Sequence, residues 1–384
     1  MKIALVSTAA LPAPAPGYAG LENVVWWLAE GMSRKGHDVV LLTTSDSPKL
    51  GEWKTTPGTV QADTGGRLRV VGTNPSRWDG NGERDNFFAY MKLLEAEFGN
   101  GEGVIFDHTW AAYAYMLVSG QPGVCGPHPN MKLLHMHHGM LGFNQSPNVT
   151  HPRFLAASNQ SAQLYSQIMK PGIAVRAIHH GIPPVSDQES EMAMKTDGNY
   201  LLSLNRMTQE KGIHIAIDCA IRARMKIKVV GDDQHVADQA YVHRIYEQCR
   251  NSGGLAEYYG SVDNLTKTNL IQNCSAVVAF TQSDWMEVFG LYVLEALQMG
   301  KPVIASKRSL LFLDQGYTEI IRPGVDGFLP STPDEMVHAI SQLQSIDREK
   351  CRERVKMWFT QDHMVDRYLE VAQGILAGDA RYNW

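Results

Sequence analysis

The stretch from residue 280 to residue 302, FTQSDWMEVFGLYVLEALQMGKP, constrains the fold more than any other part of the chain. The apolar run at 275–280 predicts a short buried strand before it, and 302–305 predicts the next strand after it. Between them lie a loop that carries Glu287 and a helix-forming run that contains Glu295. Strand, loop, helix and strand together predict a βαβ unit, whose loop opens at the carboxyl end of a strand. Open α/β sheets bind their ligands at that edge.

Strands and helices alternate along both halves of the chain. Apolar runs predict buried strands at 2–7, 39–43, 104–107, 131–135, 153–158, 175–178, 200–204, 227–231 and 256–260. Helical spacing of apolar residues predicts helices at 21–35, 86–97, 159–169, 213–224, 242–251, 333–345 and 347–377. The polar stretch at 44–85 is typical of a β-hairpin or a long loop, and the acidic stretch at 185–199 is the best linker candidate.

This alternation predicts an α/β protein with two doubly wound, Rossmann-like domains that face each other across a cleft. With 384 residues the chain exceeds the size at which single cores stop growing, roughly 250–300 residues. We place an N-terminal domain at 1–184 and a C-terminal domain at 185–363. A C-terminal helix over 364–384 is expected to pack back on the N-terminal domain.

Composition limits the environment and the partners of the protein. A net charge of −5 gives no strong signal for nucleic-acid binding. The cysteines are odd in number and show no metal-type spacing, which predicts reduced thiols in a cytoplasmic protein; they are Cys125, Cys219, Cys249, Cys274 and Cys351. The first predicted strand leaves no room for a signal peptide, and no apolar run reaches the ~20 residues of a transmembrane helix. We expect a soluble protein that makes at most a peripheral membrane contact.

Two cations follow the predicted strand at 200–204. Arg206 offers a planar fork suited to phosphate oxygens, and Lys211 adds a second, point-like charge just before Gly212, which opens a helix. This arrangement suits a diphosphate. The alternative is a solvated loop in which both cations are incidental.

The two carboxylates of the opening stretch are expected to serve different parts of one extended ligand. Glu287 lies in the loop and Glu295 inside the helix, so they do not form one paired-carboxylate site. Amides at 288–291 stand at the start of that helix, where the dipole favours a phosphate. Gly20 leaves bare amides at the start of an N-terminal helix in the same way. The alternatives are a helix-stabilising acid for Glu287, a surface glutamate for Glu295 and a turn glycine for Gly20.

A histidine cluster follows the core strand at 131–135. His135 and His137 share one face of a strand and His138 faces the other way. Two imidazoles on one face are able to ligate zinc. No Asp or Glu lies between Asp107 and Asp187, so a structural or ligand-contacting role is favoured over a metal site.

Motifs in matching order along nearly the whole chain resemble those of the retaining glycosyltransferase family 4, nucleotide-sugar-dependent enzymes of GT-B fold. The segments that carry the resemblance are GYAGLE at 17–22, RKGHDV at 34–39, NRMTQEKG at 205–212, YGSV at 259–262, EVFGLYVLEA at 287–296, GKPVIA at 300–305 and EIIRPGVDGFL at 319–329. The chain departs from the family pattern at Ala19, Asn205 and Thr281, on the sugar and acceptor sides, which leaves the donor sugar open.

The resemblance implies a role for each matching residue. Arg206 and Lys211 bind the donor diphosphate, Glu287 positions hydroxyls of the transferred sugar, and His138 reaches that sugar from the other domain. The remaining donor contacts are a phosphate approach at Gly20, a base contact at Val262, backbone amides at Phe289, Gly290 and Leu291, and ribose hydroxyls at Glu295.

The implied activity is retaining transfer of a sugar from a nucleoside-diphosphate sugar to a hydroxyl acceptor without an essential metal or other cofactor. The acceptor is expected to be a glycan, a lipid-linked saccharide or a small metabolite, and both UDP- and GDP-linked donors remain open. Alternatives are a sugar phosphorylase, a nucleotide-sugar epimerase or a transferase acting on modified nucleobases. A non-enzymatic partner subunit is disfavoured because Arg206, Lys211, Glu287 and Glu295 occur together.

Overall fold

The computed structural model divides the chain into two compact units. The first unit comprises 1–180 and 361–384, and the second unit comprises 181–360. The residues described are 1–15, 19–51, 59–61, 67–77, 82–98, 101–110, 114–119, 128, 130–139, 153–169, 173–233, 236–281, 284, 286–309 and 314–382.

Strands and helices alternate through both units. The strands are β1 Lys2–Val6, β2 Asp38–Thr43, β3 Thr59–Gln61, β4 Arg67–Gly72, β5 Gly103–Asp107, β6 Met131–His137, β7 Arg153–Ala156, β8 Ala174–Ala177, β9 Tyr200–Leu204, β10 Lys226–Val230, β11 Ala256–Gly260, β12 Ala276–Ala279, β13 Val303–Ala305 and β14 Gly327–Phe328. The helices are α1 Gly20–Arg34, α2 Pro48–Gly51, α3 Gly82–Phe98, α4 Ala114–Ser119, α5 Asn159–Ile168, α6 Asp187–Lys195, α7 Ile213–Arg222, α8 Gln239–Arg250, α9 Asn264–Asn273, α10 Leu291–Gln298, α11 Pro333–Ser341, α12 Arg348–Trp358 and α13 Gln361–Leu376.

Each unit contains one doubly wound sheet. The first sheet has the order β3-β4-β2-β1-β5-β6-β7-β8, and the second has the order β11-β10-β9-β12-β13-β14. All neighbouring strands run parallel except β3, which pairs antiparallel with β4. The second sheet therefore has the Rossmann order 3-2-1-4-5-6, and the strand order reverses between β9 and β12. In the first sheet the reversal lies between β1 and β5. The predicted α/β class with two doubly wound sheets is confirmed.

The central strands are buried on both faces, as parallel sheets covered by helices require. Every residue of β9 and β12 is buried, and so is every residue of β5. In the second unit α7 turns Ile213, Ile217 and Ala220 into the core. Full burial of each large aliphatic side chain contributes about 1.5–3 kcal/mol. This packing holds the carboxyl ends of the strands in place for the loops that follow them.

The chain passes between the two units at two positions. The division falls after residues 180 and 360, where the sequence placed it after 184 and 363. Within the second unit the two ends lie side by side: Ile182 forms a bridge with Thr360, and its amide donates to Phe359 O at 3.0 Å. Gly181 allows this approach, because a Cβ there would lie 2.1 Å from Thr360 O.

The linker predicted at 185–199 is wrong, since α6 occupies most of it. Ser186 and Glu189 form a capping box at the start of the helix. At its end the buried Lys301 Nζ donates to Ala193 O at 2.6 Å and to Thr196 O at 3.1 Å. A cation is favourable at that end of a helix dipole. Polarity alone therefore misled the sequence analysis, because the helix is stabilised by its caps.

Two other predicted elements differ in detail. The helix expected at 347–377 is two helices, α12 and α13, because Phe359 leaves the helical region and Thr360 pairs with Ile182. The hairpin expected within 44–85 is seen as β3 against β4, while 52–58 and 62–66 lie outside the described residues. Over the described ranges no helix is long and apolar enough to cross a membrane.

Candidate functional site

The loop after β9, which borders the strand reversal of the second unit, is held by close backbone contacts. After β9, the Asn205 amide donates to Val230 O at 3.1 Å, and the Met207 amide donates to Asp232 O at 2.9 Å. The loop thereby lies against the end of β10. Gly231 is required there, because a Cβ would lie 1.6 Å from Asn205 O. The loop that contains Arg206 is therefore held at the carboxyl edge of the sheet.

Lys211 and Glu287 meet at this reversal. A turn of 3-10 helix over Gln209–Lys211 ends at Gly212, whose φ of 59° lies in the left-handed region that favours glycine. Lys211 Nζ lies 2.6 Å from Glu287 Oε2, with side-chain exposures of 12% and 15%. The loop after β9 is thus joined to the loop after β12 by a nearly buried ion pair. Arg206 instead pairs with Glu210 at 3.5 Å, one turn further on.

The backbone of Glu287 is also fixed. Its amide donates to Gln315 Oε1 at 2.5 Å, and its carbonyl accepts from the Gly316 amide at 2.6 Å. Gly316 has no room for a side chain, because a Cβ would lie 2.1 Å from Val288 O. Glu287 is therefore held at its backbone by a segment far along the chain and at its carboxylate by Lys211.

The start of α10 offers backbone donors beside Glu287. Gly290 precedes the helix with a φ of 88° and has no side chain with which to cap it. The first amides of an α-helix have no partner within the helix, and its dipole places about +0.5 charge there. Phe289 is buried beneath the loop. This helix start is suited to a phosphate or another anion.

Glu295 and Val262 lie further along the same edge. Glu295 is within α10 and its Oε1 accepts from Lys267 Nζ of α9 at 2.7 Å. Val262 is partly exposed just before α9, after Gly260 with a φ of 65°. Asp233 fixes this turn, since its carboxylate accepts from Tyr258 Oη at 2.7 Å and from Ser261 Oγ at 3.0 Å. The structure brings Lys211 and Glu287 into contact and sets the other predicted residues of this unit around the same strand ends.

Gly20 and His138 belong to the first unit. Gly20 is the exposed first residue of α1, and the residue before it, Ala19, forms no side-chain capping bond. Near it, Thr8 Oγ1 donates to Glu22 Oε1 at 2.6 Å, and burial raises the pKa of Glu22. Gly17 and Tyr18 of the N-terminal motif lie outside the described residues.

His138 follows β6 directly and lies in a row of aromatic rings. Its Nε2 is 2.7 Å from His108 Nδ1, and its ring stacks on His180 with centroids 5.0 Å apart. On the other side of the strand end, His137 contacts the half-exposed Trp110 edge-on, with centroids 6.0 Å apart. Burial lowers the pKa of His108 and of His180 to about 3, and that of His137 to about 4. These imidazoles are neutral at physiological pH.

Two histidines of the cluster pack against another aromatic ring of the same sheet. His135 and His137 pack against Phe154 with ring centroids 4.9 and 5.9 Å away. Among the residues described, no set of three or more His, Cys, Asp or Glu side chains is arranged to hold a metal ion.

Sequence reasoning missed several residues that position the site. Lys267, Gln315 and His108 each contact a predicted site residue. The sequence did indicate His108 as a candidate, because it directly follows the strand predicted at 104–107. His138 similarly lies shortly after the strand predicted at 131–135. Gln315 and Lys267 had no such indication, because their contacts join segments 28 residues apart.

Two doubly wound sheets with these motif-bearing strand ends define the GT-B fold. The Anabaena protein HepE, whose crystal structure contains UDP and glucose, has this fold: it superimposes with a TM-score of 0.68 at 16% identity, covering 97% of this chain and 100% of HepE. Residues 186–358 match the family model described as "Glycosyl transferases group 1".

Curated relatives agree with that match. The chain is 26% identical over 205 residues to the Escherichia coli O-antigen chain mannosyltransferase C, covering 51% of this chain and 52% of the relative. It is 24% identical over 251 residues to the Salmonella typhimurium lipopolysaccharide 1,2-N-acetylglucosaminetransferase, covering 59% and 62%. The matches thus span 52% of the length of one relative and 62% of the length of the other. Together the comparisons show that the chain has a GT-B fold and is similar in sequence to glycosyltransferases.

Proposed function

We propose that this protein is a retaining glycosyltransferase that transfers a sugar from a nucleoside-diphosphate sugar to a hydroxyl of a saccharide acceptor, without a metal ion. The observation that carries the proposal is the ion pair of Lys211 with Glu287, 2.6 Å long, at the strand reversal of the second sheet. This pair brings a cation and a carboxylate together in the loops that precede α7 and α10, and we assign the binding of sugar hydroxyls to the carboxylate. The family match over 186–358 covers this arrangement.

The chemistry of the transfer fits these groups. Breaking a glycosyl–phosphate bond leaves negative charge on the diphosphate and builds positive charge on the sugar. Lys211, Arg206 and the start of α10 supply positive charge that stabilises the diphosphate. A metal ion would otherwise supply that charge. The carboxylate of Glu287 accepts hydrogen bonds from sugar hydroxyls. Glu295 lies further along α10, where it accepts from ribose hydroxyls.

The relatives indicate the chemical class of the donor and of the acceptor. A mannosyltransferase and an N-acetylglucosaminetransferase are the curated relatives, and HepE was crystallised with UDP and glucose. We therefore expect a hexose donor on UDP or GDP and a saccharide acceptor. The relatives found are transferases, so a phosphorylase, an epimerase and a nucleobase-modifying enzyme are not favoured.

A turnover assay over a panel of UDP- and GDP-sugars tests the proposal, with detection of released nucleotide and of the product by mass. Lys211→Ala is expected to lower kcat/KM roughly a hundredfold. Removal of one preorganised donor raises the activation free energy by about 3 kcal/mol, which corresponds to that factor. Lys350→Ala is the matched control, because Lys350 pairs with Glu353 on the exposed surface of α12 in the same unit. Unchanged turnover in the Lys211 variant would show that the mechanism is wrong.

Two further measurements separate the parts of the proposal. Turnover in the presence of EDTA should equal turnover in its absence, and its loss would contradict metal independence. The anomeric configuration of the product, read by NMR, should match that of the donor. Inversion would leave the transferase assignment intact and remove the retaining one.

A further inference from the structure

Four aromatic rings from four segments of the first unit form a stack around His138. The order is Tyr368 of α13, His108 after β5, His138 after β6 and His180 after β8. Tyr368 and His108 are stacked with centroids 6.3 Å apart at 15°, and His138 and His180 with centroids 5.0 Å apart at 16°. His108 is further fixed by its amide, which donates to Val6 O at 2.9 Å. The backbone bond and the ring contacts together hold the imidazole of His108 beside His138.

A single hydrogen bond joins His108 to His138. His108 Nδ1 lies 2.7 Å from His138 Nε2. Burial lowers the pKa of His108 to about 3, and burial with the neighbouring imidazoles holds the pKa of His138 well below its usual range. Each ring is neutral and carries one proton, so one nitrogen of the pair donates and the other accepts.

The surroundings of His108 decide which nitrogen donates. His108 Nε2 is buried, and the described part of the structure gives it no hydrogen-bond partner. If His138 donated, His108 would carry its own proton on Nε2 and strand an N–H group in the interior. If His108 donates from Nδ1, only a lone pair is left there. Buried N–H groups without a partner are the rarer of the two.

We propose that His108 is a positioning residue: it donates to His138 Nε2 and so fixes His138 as the tautomer that is protonated on Nδ1. His138 is the partly exposed member of the pair, and Nδ1 is its remaining ring nitrogen. It offers a ligand a hydrogen-bond donor, and it has no free lone pair with which to act as a general base. The group it recognises is an oxygen acceptor, either a sugar hydroxyl or a phosphate oxygen. Only this last step, the identity of the ligand, rests on the proposed function.

The tautomer is measured without any substrate. Long-range ¹H–¹⁵N correlation NMR of the full chain labelled with ¹⁵N-histidine distinguishes protonated from bare ring nitrogens, and His138→Gln assigns the signals. We expect His138 to be protonated on Nδ1 and bare on Nε2, with His108 showing the same pattern. A proton on His138 Nε2 in the wild-type protein overturns the proposal.

Variants of His108 test its effect on His138. His108→Phe keeps a ring but removes the donor, so the His138 signals should shift towards Nε2 protonation; an unshifted pattern overturns the proposal. His108→Asn places an amide donor near the position of Nδ1 and should restore the wild-type tautomer. His338→Asn, an exposed histidine on α11, is the matched control. If the Phe variant does not fold, the wild-type and Asn spectra still decide.

Kinetics then connect the tautomer to the proposed function. With a nucleotide sugar that the wild-type protein turns over, His108→Phe should lower kcat/KM about tenfold, the equivalent of one lost hydrogen bond, and His108→Asn should recover most of it. Equal activity of the Phe and wild-type proteins overturns the proposed effect on the ligand. If the wild-type protein turns over no nucleotide sugar, the proposed function fails while the tautomer assignment stands on the NMR result.

Discussion

The variant Gly231→Ala tests whether the backbone contact of Gly231 is needed for catalysis and not only for stability. The Cβ of the alanine would lie 1.6 Å from Asn205 O, and contacts of a real Cβ are not shorter than 3.0 Å, so the two backbone segments must separate by at least 1.4 Å (3.0 minus 1.6). The same peptide group includes the nitrogen of Arg206, which is 3.4 Å from the added Cβ. The displacement therefore reaches the loop that carries both cations of the proposed donor site.

Two magnitudes follow from this displacement. Forcing one methyl group into a packed backbone contact costs about 1–3 kcal/mol of stability. A shift of about 1 Å in a catalytic group lowers the rate about a hundredfold. We expect a lowered Tm in thermal unfolding, together with a kcat/KM about a hundredfold lower, measured well below the Tm.

Gly253→Ala is the control for this variant. Gly253 has a φ of +67° with nothing within 4 Å of an added Cβ, so the cost there is backbone strain of about 1–2 kcal/mol. The two variants should lose similar stability, and only the Gly231 variant should lose activity. Equal turnover in both variants would refute the link between the Asn205 contact and the site.

Three further predictions concern buried or paired charges. Lys301→Met should lower the free energy of unfolding by about 2–4 kcal/mol in denaturant titration, because two carbonyls at the end of α6 lose their buried donor; an unchanged midpoint would exclude this capping role. Burial lowers the pKa of His137 from its ordinary 6.5 to about 4, so the unfolded chain takes up a proton there at higher pH than the folded chain. Stability should therefore fall by about 3 kcal/mol as the pH drops from 6.5 to 4, and His137→Phe should lose that part of the slope in pH-dependent unfolding. Glu295→Ala should raise the KM for the donor about tenfold with little change in kcat, whereas a large fall in kcat would contradict a ribose contact.

Prediction from the sequence succeeded where local pattern and fold agree. The buried strands are continuous apolar runs, so β9, β12 and their neighbours were found almost to the residue, and the strand alternation implied their parallel order. The helix at α6 was missed because its composition is polar. Its signal was nonetheless present, since Ser186 and Glu189 have the spacing of a capping box.

Contacts between distant segments were beyond the sequence. Glu287 and Lys211 were singled out separately, but nothing in a single sequence states that their side chains meet across 76 positions. Two other hydrogen bonds depend on tertiary structure in the same way: Gln315 accepts from the Glu287 amide, and His108 pairs with His138. The predicted strand ends indicate which residues are candidates for the site. Which of their side chains contact one another is decided by tertiary packing.

The C-terminal helix α13 has a consequence for the order in which the molecule is made. Gln361 Nε2 donates to Trp27 O of α1 at 2.7 Å, and Val365 packs so closely on Gly31 that an added Cβ would lie 2.6 Å from Val365 Cγ2. The ribosome synthesises α1 before the second unit and α13 after it. The face of α1 that receives α13 therefore stays uncovered while the second unit is being synthesised. The first unit is begun before the second unit and completed after it.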